Sequence, residues 1–253
     1  MANLITLEPK EKIVFIGDIH GELETLELII HNYPLSEHIL VPLGDYVDRG
    51  LRSRETADYV IELRKRFPTR FFPLRGNHEV CPREEERLGS YPFWDNSDPD
   101  FKRDYTNAFS KFPIALSVRN ILAVHGALPD IPSLLDIDKL SSEDKNWKAI
   151  VYGDFVETQE QRLQVADGLR PCYTELYFNM LMQRFGKKVL IRAHDPDASL
   201  RMYNNRCLTL FTSKDYARPK KFIAIADFTK TSVINSTDDL TIEQIGDTLD
   251  VDG

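Results

Sequence analysis

Cysteine is scarce in this sequence of 253 residues. The three cysteines, Cys81, Cys172 and Cys207, are odd in number and lie far apart. No two of them have the short spacing of a thiolate-bound structural zinc site, which argues against that kind of site. The pattern does not resemble a disulfide framework either, because such frameworks pair cysteines at regular spacings. We therefore expect reduced thiols and a cytoplasmic location.

Long apolar runs and an excess of positive charge are also missing. No apolar stretch approaches the length that crosses a membrane, and the amino terminus has no basic-then-apolar signal pattern. The formal net charge is −8, and the basic clusters at residues 64–66 and 220–221 are short. A nucleic-acid-binding protein would need a concentrated basic face. We expect neither a nucleic-acid partner nor a membrane partner.

What the sequence does have is a strand–turn–helix pattern that occurs three times. Each unit begins with a short apolar run typical of a buried strand and continues into a turn with glycine and charged or polar residues. The three turns are residues 17–21, 44–50 and 75–79. Strands that alternate with helices predict an α/β fold in which helices cover the faces of a sheet.

Further strands are predicted in the second half of the chain. The runs that look like strands are residues 114–118, 121–124, 187–192, 206–212, 221–227 and 231–234. The last three follow one another closely without helices, which favours an antiparallel second sheet.

Helical spacing of apolar residues predicts helices at residues 101–112 and 173–184. In the second helix the expected core positions are Leu176, Met180, Leu181 and Phe185. Between the early units and these helices, residues 91–94 form an aromatic patch, which we expect to pack under a loop.

The length fits one large domain or two small ones, and no linker divides the chain. We predict a single domain over residues 1–253. Residues 1–11 have the character of a short leader, and residues 235–253 are polar and acidic with few apolar side chains. Both terminal segments are expected to be mobile.

Potential metal ligands stand at the ends of five predicted strands. They are Asp18, His20, Asp45, Asn77, His125 and His194. The chain has six histidines. Four of them fall in these turns beside Asp or Asn: His20, His78, His125 and His194. Isolated core histidines explain such a concentration poorly, whereas His31 and His38 lie outside the pattern and need no functional explanation.

The types of side chain in this set indicate which ions they bind. Asp, His and Asn donors suit divalent ions such as manganese, iron or zinc. The ligands outnumber one coordination sphere, and a carboxylate can bridge two ions. Two ions about 3.5–4 Å apart can hold a water or hydroxide between them, lower its pKa and bind phosphate oxygens. We expect two divalent cations, with manganese favoured over iron or zinc.

The turns resemble the signature blocks of the PPP-type serine/threonine protein phosphatases, which belong to the calcineurin-like metallophosphoesterases. The blocks read Gly-Asp-Ile-His-Gly from residue 17, Gly-Asp-Tyr-Val-Asp-Arg-Gly from residue 44 and Arg-Gly-Asn-His-Glu from residue 75. His125-Gly126 and Arg192-Ala193-His194 match the later blocks, and the chain is as compact as prokaryotic members. The resemblance implies a sandwich of two mixed β-sheets flanked by helices, with a dinuclear metal site at the strand ends.

The same resemblance implies which matching residue would bind which metal ion. The ligands would be Asp18 and His20 for the first ion, Asn77, His125 and His194 for the second, and Asp45 as the bridge between them. His78 would be the general acid, with Asp48 to orient it, since a neighbouring carboxylate stabilises an imidazolium.

Phosphate binding would fall to Arg49, with its bidentate guanidinium, and also to Asn77. Arg170 is the candidate for a second phosphate-binding arginine. Arg75 would either contact the substrate or pair with acids behind the site. Tyr216 would be the counterpart of a tyrosine on a loop above the active site.

The predicted function is a metal-dependent protein serine/threonine phosphatase, a phosphoric monoester hydrolase whose metal-bridging hydroxide attacks the phosphomonoester directly. Phosphotyrosine is a further candidate substrate. The partner would be a phosphoprotein or phosphopeptide, and the sequence does not determine the oligomeric state. The alternatives are a dinucleoside polyphosphate hydrolase of the same superfamily and a non-catalytic binding scaffold. The hydrolases of the first alternative often carry Asp where this chain has Glu79. A scaffold would have lost ligands, whereas here every position is filled.

Overall fold

The structure, a computed structural model, describes residues 2–82, 91–95, 97–158, 170–214 and 221–246. In chain order its strands are β1 (Leu4–Leu7), β2 (Lys12–Ile16), β3 (Ile39–Pro42), β4 (Ala115–Val118), β5 (Ile121–Val124), β6 (Asp154–Phe155), β7 (Cys172–Tyr173), β8 (Val189–Arg192), β9 (Arg201–Met202), β10 (Cys207–Thr209), β11 (Lys221–Asp227) and β12 (Thr241–Ile245). The described α-helices are α1 (Leu23–Asn32), α2 (Ser53–Arg66), α3 (Pro99–Phe109), α4 (Lys145–Tyr152) and α5 (Glu175–Arg184). Two short 3₁₀ helices, Leu134–Lys139 and Thr237–Asp239, complete the described elements.

The strands form two large mixed sheets. The six-stranded sheet has the order β1-β4-β5-β8-β10-β9, and the four-stranded sheet has the order β12-β11-β2-β3. In the first sheet β5 runs parallel to β8, and in the second β2 runs parallel to β3. Strands β6 and β7 form a separate two-stranded sheet.

Side chains on the two faces of each sheet belong to different cores. In β2, Val14 and Ile16 pack with α1, α2 and α3, while Ile13 and Phe15 join a core that both large sheets share. This division follows from the alternation of side chains along a strand. The far face of the six-stranded sheet packs against α4 and α5. The predicted sandwich of two mixed sheets flanked by helices is confirmed.

The two terminal segments each contain a strand. Strand β1 pairs in parallel with β4, and β12 pairs antiparallel to β11. These parts of the two segments are therefore edge strands of the sheets, with backbone groups that hydrogen-bond to one neighbour. Residues 247–253 of the predicted tail lie outside the described residues.

Two strand predictions also need correction. The late strands do not make an antiparallel sheet of their own, because β10 joins the six-stranded sheet, β11 joins the four-stranded sheet, and residues 231–234 form no strand. The third early strand, at residues 70–74, is reduced to a single bridge between Phe71 and Leu40. The N–H groups of Phe72 and Leu74 donate to the carbonyl oxygens of Leu40 and Pro42, but Pro42 lacks the backbone N–H that would continue the ladder.

Among the described residues, each of the helices is too short or too polar to cross a membrane.

Candidate metal centre and active site

Segments that follow β2, β3, β5 and β8 meet at one edge of the sandwich. Together with the turn after residue 74 they bring the six predicted metal ligands into one buried cluster: Asp18, His20, Asp45, Asn77, His125 and His194. Two of the segments come from the four-stranded sheet and two from the six-stranded sheet. Parallel neighbouring strands carry their carboxyl ends to the same edge, and this geometry explains the convergence.

The backbone of this cluster is unusual. His20, Asp45, Asp48, Arg49 and His194 all have positive φ, between 46° and 75°. Non-glycine residues rarely adopt this conformation, and it persists only where the surroundings enforce it. Strain of this kind concentrates at functional sites, which supports a functional reading of the cluster.

Glycines allow the turns to approach one another. A Cβ on Gly76 would lie 2.2 Å from Oδ1 of Asp45, and Gly44 has a φ of +117°. Any larger side chain at residue 76 would displace the Asp45 carboxylate. Gly76 is therefore required by the position of Asp45, and Gly44 by its own backbone conformation and the close approach of Gly76.

Asp45 stands at the centre of the cluster. Its Oδ2 lies 3.3 Å from Nε2 of His125 and 3.7 Å from Nε2 of His20. Two groups of side chains could each hold a cation, and both include Asp45: His20 with Asp45 and His78, and Asp45 with His125 and His194. In each group the donor atoms lie within 4.8 Å of one another. This geometry allows Asp45 to bridge two ions.

Backbone carbonyls orient two of the histidines. Nδ1 of His20 lies 2.9 Å from the carbonyl oxygen of Val47, and Nδ1 of His125 lies 3.0 Å from that of Leu43. A carbonyl oxygen can only accept, so Nδ1 carries the proton in both rings. Nε2 of each ring then faces Asp45, and it is the nitrogen that can bind a metal ion once it carries no proton.

Asp18 has a carboxylate oxygen that no hydrogen bond satisfies. This oxygen, Oδ2, is buried. Burial and the nearby charge of Asp45 raise the pKa of Asp18 to about 7. Burial would also raise the pKa of Asp45, but His125, His78 and His20 hold it well below its ordinary value. An orphaned carboxylate oxygen beside a second carboxylate fits a divalent cation.

The predicted acid and its partner form a short hydrogen bond. Nδ1 of His78 lies 2.6 Å from Oδ2 of Asp48, and both side chains are buried. Burial alone would lower the pKa of His78, but the charge of Asp45 and the bond to Asp48 raise it above its ordinary value. Nε2 of His78, at 4.0 Å from Oδ2 of Asp45, faces the cluster. This geometry suits proton donation and also places His78 within reach of a cation.

The two predicted phosphate-binding arginines lie beside the cluster. Arg49 is exposed, and after burial and His78 its charge contributes to the low pKa of His20, about 3. Nη1 of Arg170 lies 3.4 Å from Nε2 of His194. Arg75 instead contacts the ring of Trp147, with its Cζ 5.2 Å from the ring centroid. Tyr216 lies outside the residues that the structure describes.

Sequence reasoning missed the role of Glu79. This buried carboxylate accepts backbone N–H bonds from Asp45 and Gly76 on Oε2, at 2.8 and 2.9 Å, and from Tyr46 on Oε1, at 2.8 Å. It therefore connects the second turn to the third. Its place in the third block was visible in the sequence, but its function was not, because the partners are backbone groups more than thirty residues away in two of three cases.

A second missed residue is Asp154, on β6. Its Oδ1 lies 3.3 Å from Nη2 of Arg192 and 3.7 Å from Nε2 of His194, and its Oδ2 lies 3.9 Å from Nη1 of Arg170. Burial raises the pKa of Asp154. The surrounding polar segment carried no pattern that could have identified it.

The aromatic patch does more than pack under a loop. The indole N–H of Trp94 donates to the carbonyl oxygen of His78 at 2.9 Å, and the backbone N–H of Phe93 donates to Oδ1 of Asp48 at 2.8 Å. Its three aromatic residues, Tyr91, Phe93 and Trp94, are also buried, as expected.

The chain is similar in sequence to a curated protein. A probable serine/threonine-protein phosphatase of Encephalitozoon cuniculi is 26% identical over 236 residues, which cover 86% of this chain and 50% of that protein. The chain thus spans half the length of this curated relative.

Two solved structures share the fold. A protein serine/threonine phosphatase from Saccharomyces cerevisiae, described as similar to human phosphatase PP5, superposes with a TM-score of 0.76 at 20% identity, over 99% of this chain and 86% of that one. A protein provisionally identified as a diadenosine tetraphosphatase superposes with a TM-score of 0.58 at 18% identity, over 98% of this chain and all of that one. At these identities the likeness concerns the fold alone.

The sequence pattern of one family extends over most of the chain. Residues 11–198 match the calcineurin-like phosphoesterases. This range contains every residue of the buried cluster, the acid pair and both arginines. The chain therefore belongs to the calcineurin-like phosphoesterase family, whose members are phosphoester hydrolases that use divalent metal ions.

Proposed function

We propose that this chain is a metal-dependent phosphoprotein phosphatase that hydrolyses phosphoserine and phosphothreonine, with phosphotyrosine as a further substrate. The observation that carries the proposal is the buried pair of His78 and Asp48 beside a cluster of carboxylates and imidazoles. This arrangement joins a proton donor to a site for cations and phosphate. The probable serine/threonine phosphatase among the relatives supports the same substrate class.

The cation-binding residues divide into two sets that share Asp45. We assign Asp18 and His20 to one cation, and Asn77, His125 and His194 to the other. When bound, two divalent cations, with manganese favoured, neutralise phosphate charge and lower the pKa of water. The protein contributes fixed ligands, because buried turns and backbone carbonyls hold the histidine rings before any ion arrives.

His78 supplies the proton in the proposed reaction. Serine and threonine leave as alkoxides, which are strongly basic and need a proton as the P–O bond breaks. Asp48 occupies Nδ1 of His78, so Nε2 is the nitrogen that faces the substrate. The charge of Asp45 and the bond to Asp48 favour the protonated ring. His78 is thereby prepared to act as a general acid.

The two arginines would hold the phosphate. Arg49 is exposed on the turn that carries Asp48, and Arg170 is about one-third exposed beside His194. A guanidinium presents parallel N–H groups that match two phosphate oxygens. Their positions beside the cluster allow substrate binding from the solvent side.

A second candidate function is hydrolysis of dinucleoside polyphosphates. It is favoured by the solved structure provisionally identified as a diadenosine tetraphosphatase, all of which superposes on this chain. The same cation site could serve this reaction, since it too breaks a phosphorus–oxygen bond. The two candidate functions differ in the part of the substrate that binds beyond the phosphate, which is a peptide in the first and a nucleoside in the second.

One assay separates the two candidates. Protein supplied with Mn²⁺ is offered a phosphoserine peptide and diadenosine tetraphosphate in parallel, with metal-free protein as the control. We expect kcat/KM for the peptide to be higher by at least about tenfold, a difference of about 1.4 kcal/mol in transition-state stabilisation. A preference for the dinucleotide would overturn the proposed function in favour of the second candidate.

A further inference from the structure

The aromatic segment, residues 91–94, contacts both members of the proposed acid pair. Asp48 uses its two oxygens for different partners: Oδ2 accepts from Nδ1 of His78, and Oδ1 accepts from the backbone N–H of Phe93. Trp94 donates its indole N–H to the backbone carbonyl of His78. The segment thus fixes the carboxylate on one side and the peptide group of the histidine on the other.

Tyr91 adds a third contact. Its ring centroid lies 4.9 Å from that of His78, with an angle of 37° between the ring planes. The imidazole is therefore bordered by an aromatic ring as well as anchored through Nδ1 and through its own backbone.

The segment is itself held by α3. The ring of Phe93 lies 4.9 Å from that of Tyr105 and 5.1 Å from that of Phe101, and the ring of Trp94 lies 6.1 Å from that of Phe109. Trp94 is 1% exposed. Close aromatic packing of this kind leaves the segment few alternative conformations.

We propose that Trp94 is a positioning residue for proton donation by His78. The inference rests on the proposed phosphatase function and specifies how the general acid, His78, is oriented. The indole N–H holds the His78 carbonyl, so the imidazole can rotate only within the limits that Asp48 and Tyr91 set. Without that bond the peptide group of His78 can shift, and a small misplacement of a catalytic group has a large effect on rate.

The consequence is selective for the leaving group. A serine alkoxide depends on His78 for its proton, whereas p-nitrophenolate is stable enough to leave without one. Misorientation of His78 should therefore slow hydrolysis of a phosphoserine peptide more than hydrolysis of p-nitrophenyl phosphate. A general loss of stability or of cations would slow both equally.

The test compares Trp94→Phe with Trp147→Phe, since the chain contains two tryptophans. Trp147 is also buried, at 3% exposure, and packs in the core beside the six-stranded sheet. We expect the ratio of kcat for p-nitrophenyl phosphate to kcat for a phosphoserine peptide to rise about tenfold in Trp94→Phe, because acid catalysis typically contributes about 10²–10⁴-fold and only its alignment is lost. In Trp147→Phe the ratio should stay at the wild-type value.

A spectroscopic readout accompanies the kinetics. The proton in the short bond between His78 and Asp48 should give a low-field ¹H NMR signal, assigned by its loss in His78→Asn. We expect this signal to move or broaden in Trp94→Phe and to be unchanged in Trp147→Phe. Equal slowing of both substrates, or an unchanged signal together with an unchanged ratio, would overturn the inference. A wild-type protein that hydrolyses neither substrate would instead contradict the proposed function.

An isosteric replacement covers the case in which Trp94→Phe does not fold. In the Trp147→Phe background, tryptophan is replaced biosynthetically by benzothienylalanine, which keeps the bicyclic ring and has sulfur in place of N–H. Only residue 94 is then altered. The same rise in the ratio is expected, and an unchanged ratio in this folded protein would show that the indole N–H has no positioning role.

Discussion

His78 meets two requirements with its two ring nitrogens. Nδ1 is bound to Asp48, while Nε2 faces the shared carboxylate Asp45 without a hydrogen bond to it. The residue is therefore suited to transfer a proton, and the cation-binding group that includes it offers an alternative role as a ligand. The two roles make opposite predictions about metal content.

Substitution of His78 by asparagine separates these roles. We expect His78→Asn to lower kcat on a phosphoserine peptide by about 10²–10³-fold, because proton transfer to the alkoxide is lost. Elemental analysis should still find the wild-type metal content. His31→Asn, in the last turn of α1, is the matched control and should keep both activity and metal. Loss of metal in His78→Asn would identify the residue as a ligand instead.

Residue types at the turns were readable from the sequence, but their partners were not. The blocks correctly grouped Asp18, His20 and Asp45, since ligand chemistry depends on side-chain type. Glu79 shows why its partners could not be predicted. Its three hydrogen bonds come from backbone N–H groups, which almost every residue type has. Asp154 illustrates another limit, because one isolated acid in a polar stretch carries no pattern at all.

Helix α5 shows what periodicity can and cannot determine. The helix was predicted at residues 173–184 and begins at Glu175. Of the expected core positions, Leu181 and Phe185 are buried, but Leu176 is 81% exposed and Met180 is 42% exposed. Phe178 and Met182 are buried in their place. Two apolar stripes run along this helix, and only the sheet beneath it determines which of them is buried.

The edge strand β12 lies within the acidic segment that the sequence did not identify as a strand. It pairs with β11 from Thr241 to Ile245, and Glu243 accepts a hydrogen bond from the hydroxyl of Tyr33, the residue that follows α1. The strand thus ties the end of the described chain to a helix near its start. Polar residues at an edge resemble a tail in sequence, because one side of such a strand faces solvent.

Shortening the chain measures the contribution of this strand. A protein that ends at Asn235 should melt at least about 5 °C lower than the full chain, since β11 loses one of its two neighbouring strands and each kcal/mol corresponds to about 2–4 °C at this size. Tyr33→Phe removes only the hydrogen bond to Glu243 and should cost about 1 kcal/mol. Thermal unfolding followed by circular dichroism measures both. Equal melting temperatures for the shortened and full chains would mean that β12 adds nothing to stability.

At the scale of the whole molecule, cation binding should stabilise the fold. Ions that bind only the folded chain raise its stability by about 2.7 kcal/mol at a hundredfold excess over Kd. We expect Mn²⁺ to raise the melting temperature by about 5–10 °C, and chelation to reverse the effect. Asp45→Asn, which weakens both proposed sites, should lose most of the shift. An identical shift in wild type and Asp45→Asn would contradict a bridging role.

The same shift should depend on pH. Without a cation, burial and Asp45 raise the pKa of Asp18 to about 7. Burial lowers the pKa of His125, but Asp45 and Asp18 outweigh it and raise the value to about 9. Both groups must lose a proton to bind a cation, so binding strengthens as pH rises. The Mn²⁺-induced shift should therefore be larger at about pH 8 than at about pH 6.

The candidate metal site lies where the two sheets meet, so ion binding there would be coupled to relative motion of the sheets. Asp18 follows a strand of the four-stranded sheet and forms a bridge with Phe211, which follows β10 of the six-stranded sheet. His125 and His194 approach from the six-stranded side. An ion bound by residues from both sheets would link the two sheets of the sandwich. Separation of the two sheets and dissociation of the ion would then occur together. The dissociation rate of the ion would therefore report how often the two sheets separate.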